Sequence, residues 1–543
     1  MTAPLATSFS RWGTPPAPVS IPERARAYLL DAVGAATPRP AVAVADVQLP
    51  PSQAPEPLLS ALAAAVGPDA VRTDRESRLA ACAGSSLSDL ARRRAGDVAE
   101  APDVVVLPTT ADEVAAVLAV AREQRAAVVT LGGGTSVVGG VAMRRAGFDA
   151  VVALSTQRLD AIGEVDPVSC LVTVGPGVTG PVLERLLQAR GFTLGHLPQS
   201  WERATIGGYV ATRSAGQASS GYGRSDEMVH GLRVVTPVGE IVLGHGPSTA
   251  AGPDLRQLLV GSEGVLGVIT EVTLRVRHLP GASRYEGVML PSYAAGLTAF
   301  RVLAQAGLKP DVMRLSDDAE TATTLAMSGP SGRTKAALDL YLRARGAAGG
   351  VLAILGWEGT AGSVKARREA GWALLRKHGA VSLGARVGES WRHGRYSGPY
   401  LRDVLLDEGY LVETFETATD WALLPALHDR LASVVAEQLR TPDGPGPLVM
   451  AHISHVYETG ASLYVTVIAR GEEDLAAPWW RAKRAVMDAI VDAGATITHH
   501  HAVGRDHAPW LPAEVGAVGI DVLRAVKATL DPEGILNPGV LLP

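Results

Sequence analysis

Between Asp103 and Ser136 the hydrophobic period of the chain changes twice, and this stretch constrains the fold more than any other. Asp103-Val-Val-Val-Leu107 is a short β-branched run, and Thr110-Ala-Asp-Glu113 has the spacing of a capping box. Val114, Val117, Leu118 and Ala121 then form a helical stripe, and Ala127-Val-Val-Thr-Leu131 reads as a second strand. Strand, helix and strand in this order make a βαβ unit, so an α/β domain is expected to start near residue 101. The second strand runs directly into Gly132-Gly133-Gly134-Thr135-Ser136. Successive glycines let several backbone N–H groups converge on an anion, and the two hydroxyls add donors.

At 543 residues, with 47% hydrophobic and 19% charged side chains, the chain has the apolar material for several domains and excludes disorder as the main state. Its 50 basic and 55 acidic residues leave a net charge of −5 without long single-sign runs, so no nucleic-acid partner is expected. Two cysteines, Cys82 and Cys170, cannot build a disulfide framework and point to a reducing, cytoplasmic compartment. Met1–Gly13 lacks a basic segment followed by an apolar one, so no secretory signal is expected. No run of 18 apolar residues occurs that could span a bilayer. The 59 glycines, without repeats, imply many tight loops.

The expected organisation is a leader with short helices over 1–100, rich in proline (Pro15, Pro16, Pro18, Pro50, Pro51). An α/β domain follows over 101–280, a second α+β domain over 281–510, and a C-terminal segment over 511–543. In the second domain, helices are expected near Tyr293–Ala306, Ser363–Lys377, Trp421–Gln438 and Arg481–Ala493. Strands are expected at Val351–Gly356, Leu448–Ile453 and Ser462–Ala469.

Three glycine segments compete as the nucleotide cradle. Gly175-Pro-Gly177-Val-Thr-Gly180 has the dinucleotide spacing, but no strand ending in an acid follows, and Pro176 removes a donor; a plain turn is the better reading. No Walker sequence occurs. Gly132–Ser136, then Ala204-Thr205-Ile-Gly207-Gly208 and Gly261-Ser-Glu263-Gly264-Val-Leu-Gly267-Val268-Ile269, closing on Asp531-Pro-Glu-Gly-Ile-Leu-Asn-Pro538, together resemble the FAD-binding fold of the vanillyl-alcohol oxidase / p-cresol methylhydroxylase superfamily. That resemblance implies an α+β protein: a two-subdomain FAD-binding fold with an α+β cap domain and a short N-terminal helical leader. It assigns the flavin to Gly132, Gly133, Gly134, Thr135, Ser136, Val137, Gln199, Ser200, Thr205, Gly207, Gly208, Thr212, Ser214, Glu263, Gly264, Gly267, Val268 and Ile269.

Six of the 13 histidines fall between residues 452 and 507: His452, His455, His499, His500, His501 and His507. Neighbouring histidines on an extended segment face opposite ways and no HExxH pattern occurs, so acid/base or phosphate-contacting roles are expected in preference to a metal. His499-His-His501-Ala-Val-Gly504-Arg505 is similar to a segment of the alkyldihydroxyacetonephosphate synthase family. So are His455-Val-Tyr-Glu-Thr-Gly460-Ala-Ser-Leu-Tyr464, and Tyr400-Leu-Arg402-Asp with Val412-Glu-Thr414-Phe-Glu-Thr417. Arg11-Trp-Gly13 and Met313-Arg314-Leu315 fall in the same order. The flavin-linked D-lactate and glycolate dehydrogenases carry an H-x-G-D-G-N-x-H segment that is missing here. The alanine- and arginine-rich composition has a bacterial look.

The resemblance implies an exchange without net redox change. An acyl-dihydroxyacetone phosphate loses its fatty acid, the remainder is held on flavin N5, and a long-chain alcohol takes the acid's place. It implies Tyr464 as base, which needs nearby cations to favour the phenolate, and His499, His500 and His501 as its assistants. It implies Arg402 and Arg314 on the phosphate and carbonyl, and Thr414 where the family often has serine. It also implies a non-covalent flavin, a homodimer and peripheral contact with a membrane. No histidine in Gly132–Gly140 can attach the flavin, whereas His196 stays open on sequence alone. Departures are Ala502 for a glycine and Gln199 for a common acid, and no peroxisomal address ends the chain. Two other readings compete: an FAD-dependent oxidase or dehydrogenase of a 2-hydroxy acid or other alcohol, and a non-catalytic flavoprotein or lipid-binding module.

Overall fold

The computed structural model describes residues 9–15, 18–441 and 444–543; Pro16, and Met1 to Ser8 of the N-terminal reading, lie outside them. The first sheet contains β1 (Val71–Arg72), β2 (Val104–Val106), β3 (Ala126–Leu131) and β4 (Ala150–Ser155) in the order β1-β2-β4-β3. β2 and β3 both run parallel to β4, as a βαβ crossover requires. Helix Ala111–Glu123 covers the sheet with Val114, Val117, Leu118 and Ala121, the stripe read in the sequence. Its capping box closes one residue early. The Thr110 hydroxyl accepts the Glu113 N–H at 3.1 Å, but the Glu113 carboxylate turns to the N–H and hydroxyl of Thr109.

The second sheet is antiparallel, in the order β5-β9-β7-β8, with β5 Leu171–Val174, β7 Val229–Thr236, β8 Gly239–Leu243 and β9 Val268–Arg275. A two-stranded ribbon pairs β6 (Phe192–Thr193) with β10 (Arg277–His278). The Gly175–Gly180 turn joins the layers, because a Cβ on Gly177 would lie 2.0 Å from the Thr156 carbonyl.

The third sheet has seven antiparallel strands in the order β14-β11-β13-β12-β16-β17-β15. They are β11 Ala282–Leu290, β12 Val312–Ser316, β13 Val351–Gly359, β14 Val381–Gly384, β15 Tyr410–Asp420, β16 Leu448–Ile453 and β17 Gly460–Arg470. The sequence reading finds β13, β16 and β17 and misses the others. Helices Tyr293–Gln305, Ala361–Lys377, Leu424–Gln438 and Ala476–Asp492 stand where expected, within a few residues at their starts. The leader packs in two places. Ala25, Leu29 and Val33 of helix Glu23–Val33 bury against Tyr410, Val412 and Met450 of the third sheet, while Leu58 and Leu62 join the core of the first.

The final helix, Leu511–Leu530, kinks at Gly516 (φ 74°) and leads into a buried turn. There the Asp531 carboxylate accepts the N–H groups of Ile535 and Leu536 at 3.0 and 2.8 Å and pairs with Lys527 at 2.5 Å. This turn lays Leu536 alongside β3, where Val128 exchanges backbone hydrogen bonds with Ile535 and Asn537. Among the described residues no helix is long and apolar enough to cross a membrane. Asp531→Ala leaves Lys527 half-buried without its counter-ion and frees two backbone donors. It should lower stability by about 3–5 kcal/mol, read as a drop in Tm together with loss of the C-terminal segment's protection from proteolysis.

Candidate functional site

β3 delivers the chain into Gly132–Val137, which forms one wall of a long cavity. Gly133 admits no side chain, since a Cβ there would sit 2.1 Å from the Arg203 carbonyl, and Gly134 is left-handed at φ 67°. Gly84 and Ser85 donate to the carbonyls of Gly134 and Ser136, which ties down the acceptor side of the loop. Among the described residues the N–H groups of Gly133, Gly134 and Thr135 have no acceptor. The buried Thr130 hydroxyl is also unpartnered. The opposite wall begins at Thr205, whose hydroxyl accepts the Gly208 N–H and starts the short helix Ile206–Ala211. Gly207 presses on Pro176, where a Cβ would meet the ring at 2.5 Å. These open donors and the glycine-lined approach fit the phosphates and flat ring of a flavin dinucleotide.

Glu263 closes the third side. Its buried carboxylate accepts the N–H groups of Val503 at 3.0 Å and Gly504 at 2.9 Å, and burial pushes it up to about 7.

The far end of the cavity is one face of the third sheet. Register places Tyr464 on β17 between His452 on β16 and Glu416 on β15, with Ser316 of β12 beside His452. Two residues along, the same face carries Arg314 and Thr414. The Tyr464 hydroxyl donates to Thr414 at 3.3 Å, and its ring stacks on His452 with centroids 4.9 Å apart. Arg314 reaches the two ring nitrogens of His452 at 3.0 and 3.1 Å and pairs with Glu320 at 2.5 Å. Burial opposes the charge of Glu320, but Arg314 outweighs it and holds the carboxyl down at about 2. Arg402, on helix Gly398–Asp407, donates to the Ser85 carbonyl at 2.9 Å and keeps a buried, unpartnered Nε.

The histidine triplet lies on a bent, irregular segment beneath this face. His455 stacks on His499 at 4.9 Å and meets His500 edge-on at 4.9 Å, while His501 stands perpendicular to Tyr464 at 5.5 Å. Ring nitrogens of His455, His499 and His500 lie within 4.8 Å of one another. Each ring already has partners: Ser219 on Nδ1 of His455, Tyr457 on Nε2 of His499, and Glu416 on Nδ1 of His500. Burial lowers His499 and His501 to about 3, so both imidazoles are neutral at pH 7. Burial also pushes Tyr464 up to about 12 despite the hydrogen bond to Thr414 and the nearby Arg402, because Glu413 and Glu416 oppose a phenolate. The expected cationic stabilisation of that phenolate is therefore outweighed.

The cavity gathers Tyr464, His500, His501, Arg402, Arg314 and Thr414. It also gathers Gly132, Gly133, Gly134, Thr135, Ser136, Val137, Gln199, Ser200, Thr205, Gly207, Gly208, Thr212, Ser214, Glu263, Gly264, Gly267 and Ile269. Two expected residues stand off it. Val268 alternates away from Gly267 and Ile269 into the core beside Val128, and His499 stands behind His500. His196 is buried behind the wall with Nε2 on Ser214 at 3.1 Å, so it is no attachment point for a flavin. Sequence reasoning missed Glu413, Glu416, Glu320 and Trp12. Trp12 lines the cavity, with its backbone N–H donated to the Asp403 carboxylate at 2.6 Å.

This fold and cavity define an FAD-dependent enzyme with a cap domain. The "FAD binding domain" family matches residues 102–243, and the "FAD linked oxidases, C-terminal domain" family matches 279–541. A p-cresol methylhydroxylase structure shares the fold, with a TM-score of 0.65 over 89% of this chain and 95% of its own at 17% identity. A structure of alkyldihydroxyacetonephosphate synthase superposes with a TM-score of 0.82 and 30% identity, covering 95% of this chain and 92% of that one. The alkyldihydroxyacetonephosphate synthase of Dictyostelium discoideum is 33% identical over 93% of this chain and 84% of its own length. The chain belongs to the alkyldihydroxyacetonephosphate synthase family.

Gly133→Ala forces the new methyl group against the Arg203 carbonyl. It should weaken FAD binding at least tenfold while the circular dichroism spectrum stays unchanged. The buried neutral histidines set the acid stability. His196, His499 and His501 sit near 3 when folded against 6.5 unfolded. Their contribution is complete above pH 6.5 and is lost as pH falls towards 3. Each should cost about 1.4 kcal/mol by pH 5.5, measured by chemical denaturation at pH 7.5 and pH 5.5.

Proposed function

We infer that the protein is an FAD-dependent ether-lipid synthase, which replaces the acyl group of acyl-dihydroxyacetone phosphate with a long-chain alcohol. The observation that carries this reading is the row Arg314, His452, Tyr464 and Thr414 on four neighbouring strands, facing the glycine cradle with Arg402 beside it. FAD held by the glycine walls at Gly132–Gly134 and Gly207–Gly208 would supply an electrophilic ring system beside this row.

The chain's own groups divide the remaining work. Arg402, with its open Nε, is the free guanidinium for the phosphate, because Arg314 is already engaged by Glu320 and His452. A phenol held up near 12 keeps its proton at neutral pH, so Tyr464 serves as a donor towards the substrate oxygen. The free base then comes from the neutral imidazoles on the same cavity. Homodimerisation and peripheral membrane contact belong to the same proposal. Val515, Val518 and Val522, exposed along one side of the final helix, support a covered face there. Light scattering with and without lipid vesicles tests it.

Incubated anaerobically with acyl-dihydroxyacetone phosphate and a long-chain alcohol, the protein should release fatty acid with its flavin spectrum unbleached. Bleaching by a 2-hydroxy acid, with no fatty acid released, would instead favour the oxidoreductase reading. Tyr464→Phe should lower turnover at least 100-fold and leave bound FAD unchanged. Loss of the flavin in that variant would make Tyr464 a structural residue.

A further inference from the structure

Glu416 is a carboxylate with no solvent exposure of its side chain, in the middle of a strand, where an acid is rarely found without partners. All its partners come from one place. It accepts the backbone N–H of His499 at 2.7 Å, of His500 at 3.2 Å and of His501 at 3.1 Å, as well as the Thr498 hydroxyl. Its Oε2 also lies 3.2 Å from Nδ1 of His500. Burial opposes its charge, but the histidines around it, His500 first, hold its carboxyl well below the usual range. An ionised carboxylate only accepts hydrogen bonds, so Nδ1 of His500 must carry the proton.

The neighbouring rings agree. Nε2 of His499 lies 2.6 Å from the Tyr457 hydroxyl, and its Nδ1 lies 3.1 Å from Nδ1 of His500, where it accepts the same proton. Nδ1 of His500 thus faces two acceptors, Oε2 of Glu416 and Nδ1 of His499. What remains is Nε2, on a residue that lines the cavity.

We propose that Glu416 is a positioning residue that fixes His500 as the Nδ1–H tautomer, which makes Nε2 of His500 the proton acceptor of the exchange. This rests on the synthase reading above. His500 takes one proton from the substrate carbon that bears the ester, the fatty acid departs as a carboxylate with its bonding pair, and a proton returns to that carbon after the alcohol has added and lost its own. No electrons are gained or lost overall. Carboxylate, imidazole and reacting proton then stand in the same relation as in triads, where the acid orients the base without being protonated itself.

The test is a double-mutant cycle on the FAD-loaded enzyme, measuring kcat and KM for acyl-dihydroxyacetone phosphate. Wild-type turnover is established first: its absence overturns the synthase reading and with it this proposal, whereas the cycle below tests the proposal alone. Glu416→Gln should lower kcat at least 100-fold with KM and the flavin spectrum nearly unchanged. In the His500→Ala background the same substitution should cost less than threefold, whereas in the His501→Ala background it should keep its full effect. Glu416→Asp should recover part of kcat, which guards against a variant that fails to fold. Equal losses in both backgrounds, or coupling to His501 alone, would overturn the proposal. So would activity lost to a chelator and restored by zinc, which would make the histidine cluster a metal site.

Discussion

The segment from Thr498 to Gly504 has no regular secondary structure and is half-buried, and two carboxylates hold it. Glu416 from β15 takes the N–H groups of His499, His500 and His501, and Glu263 from the cofactor wall takes those of Val503 and Gly504. Buried backbone donors need acceptors, and a strand or helix normally provides them. Here two side chains from different parts of the chain do so, and in doing so they fix where the imidazoles stand relative to the cradle. The geometry of the cavity depends on that arrangement.

The two carboxylates have different electrostatic fates. Glu263 receives only two backbone donors and is pushed up to about 7 by burial, while Glu416 is held well below the usual range by the histidines around it. Glu320 is paired with Arg314, so the negative charge that stands behind His500 is that of Glu416. It disfavours a phenolate on Tyr464, its direct neighbour across the ladder, and favours a protonated Nδ1 on His500. One buried charge thus separates a donor from an acceptor on the same cavity.

The parts legible in the sequence were those whose chemistry restricts residue type. Gly132–Gly134, Gly207 and the histidine triplet could be found because close backbone approach and imidazole chemistry leave few substitutes. β15 and β12 were not recognised as strands, because the sheet face they share with Tyr464 carries Thr414, Glu416 and Arg314 and so breaks the apolar alternation that marks a half-buried strand. Glu416 lies within the Val412–Thr417 segment that carries the resemblance but received no role, since an acid in a run of mixed polarity reads as exposed until the ladder places it opposite Tyr464. Val268 lies off the cavity because a motif names consecutive residues while a strand turns alternate ones away, and His499 because the irregular backbone of the triplet sets it behind His500. Trp12 reaches the cavity across nearly the whole chain through Asp403, a contact that no local pattern encodes.

The central claim is that this cavity moves a proton on and off carbon and leaves the flavin without net reduction. It is tested most directly by running the exchange anaerobically in deuterium oxide and analysing the ether product by mass spectrometry and NMR. The account predicts solvent deuterium at the carbon that bears the new ether, with the flavin spectrum fully oxidised at the end. A product without deuterium at that carbon, or a flavin left reduced in proportion to turnover, would contradict it.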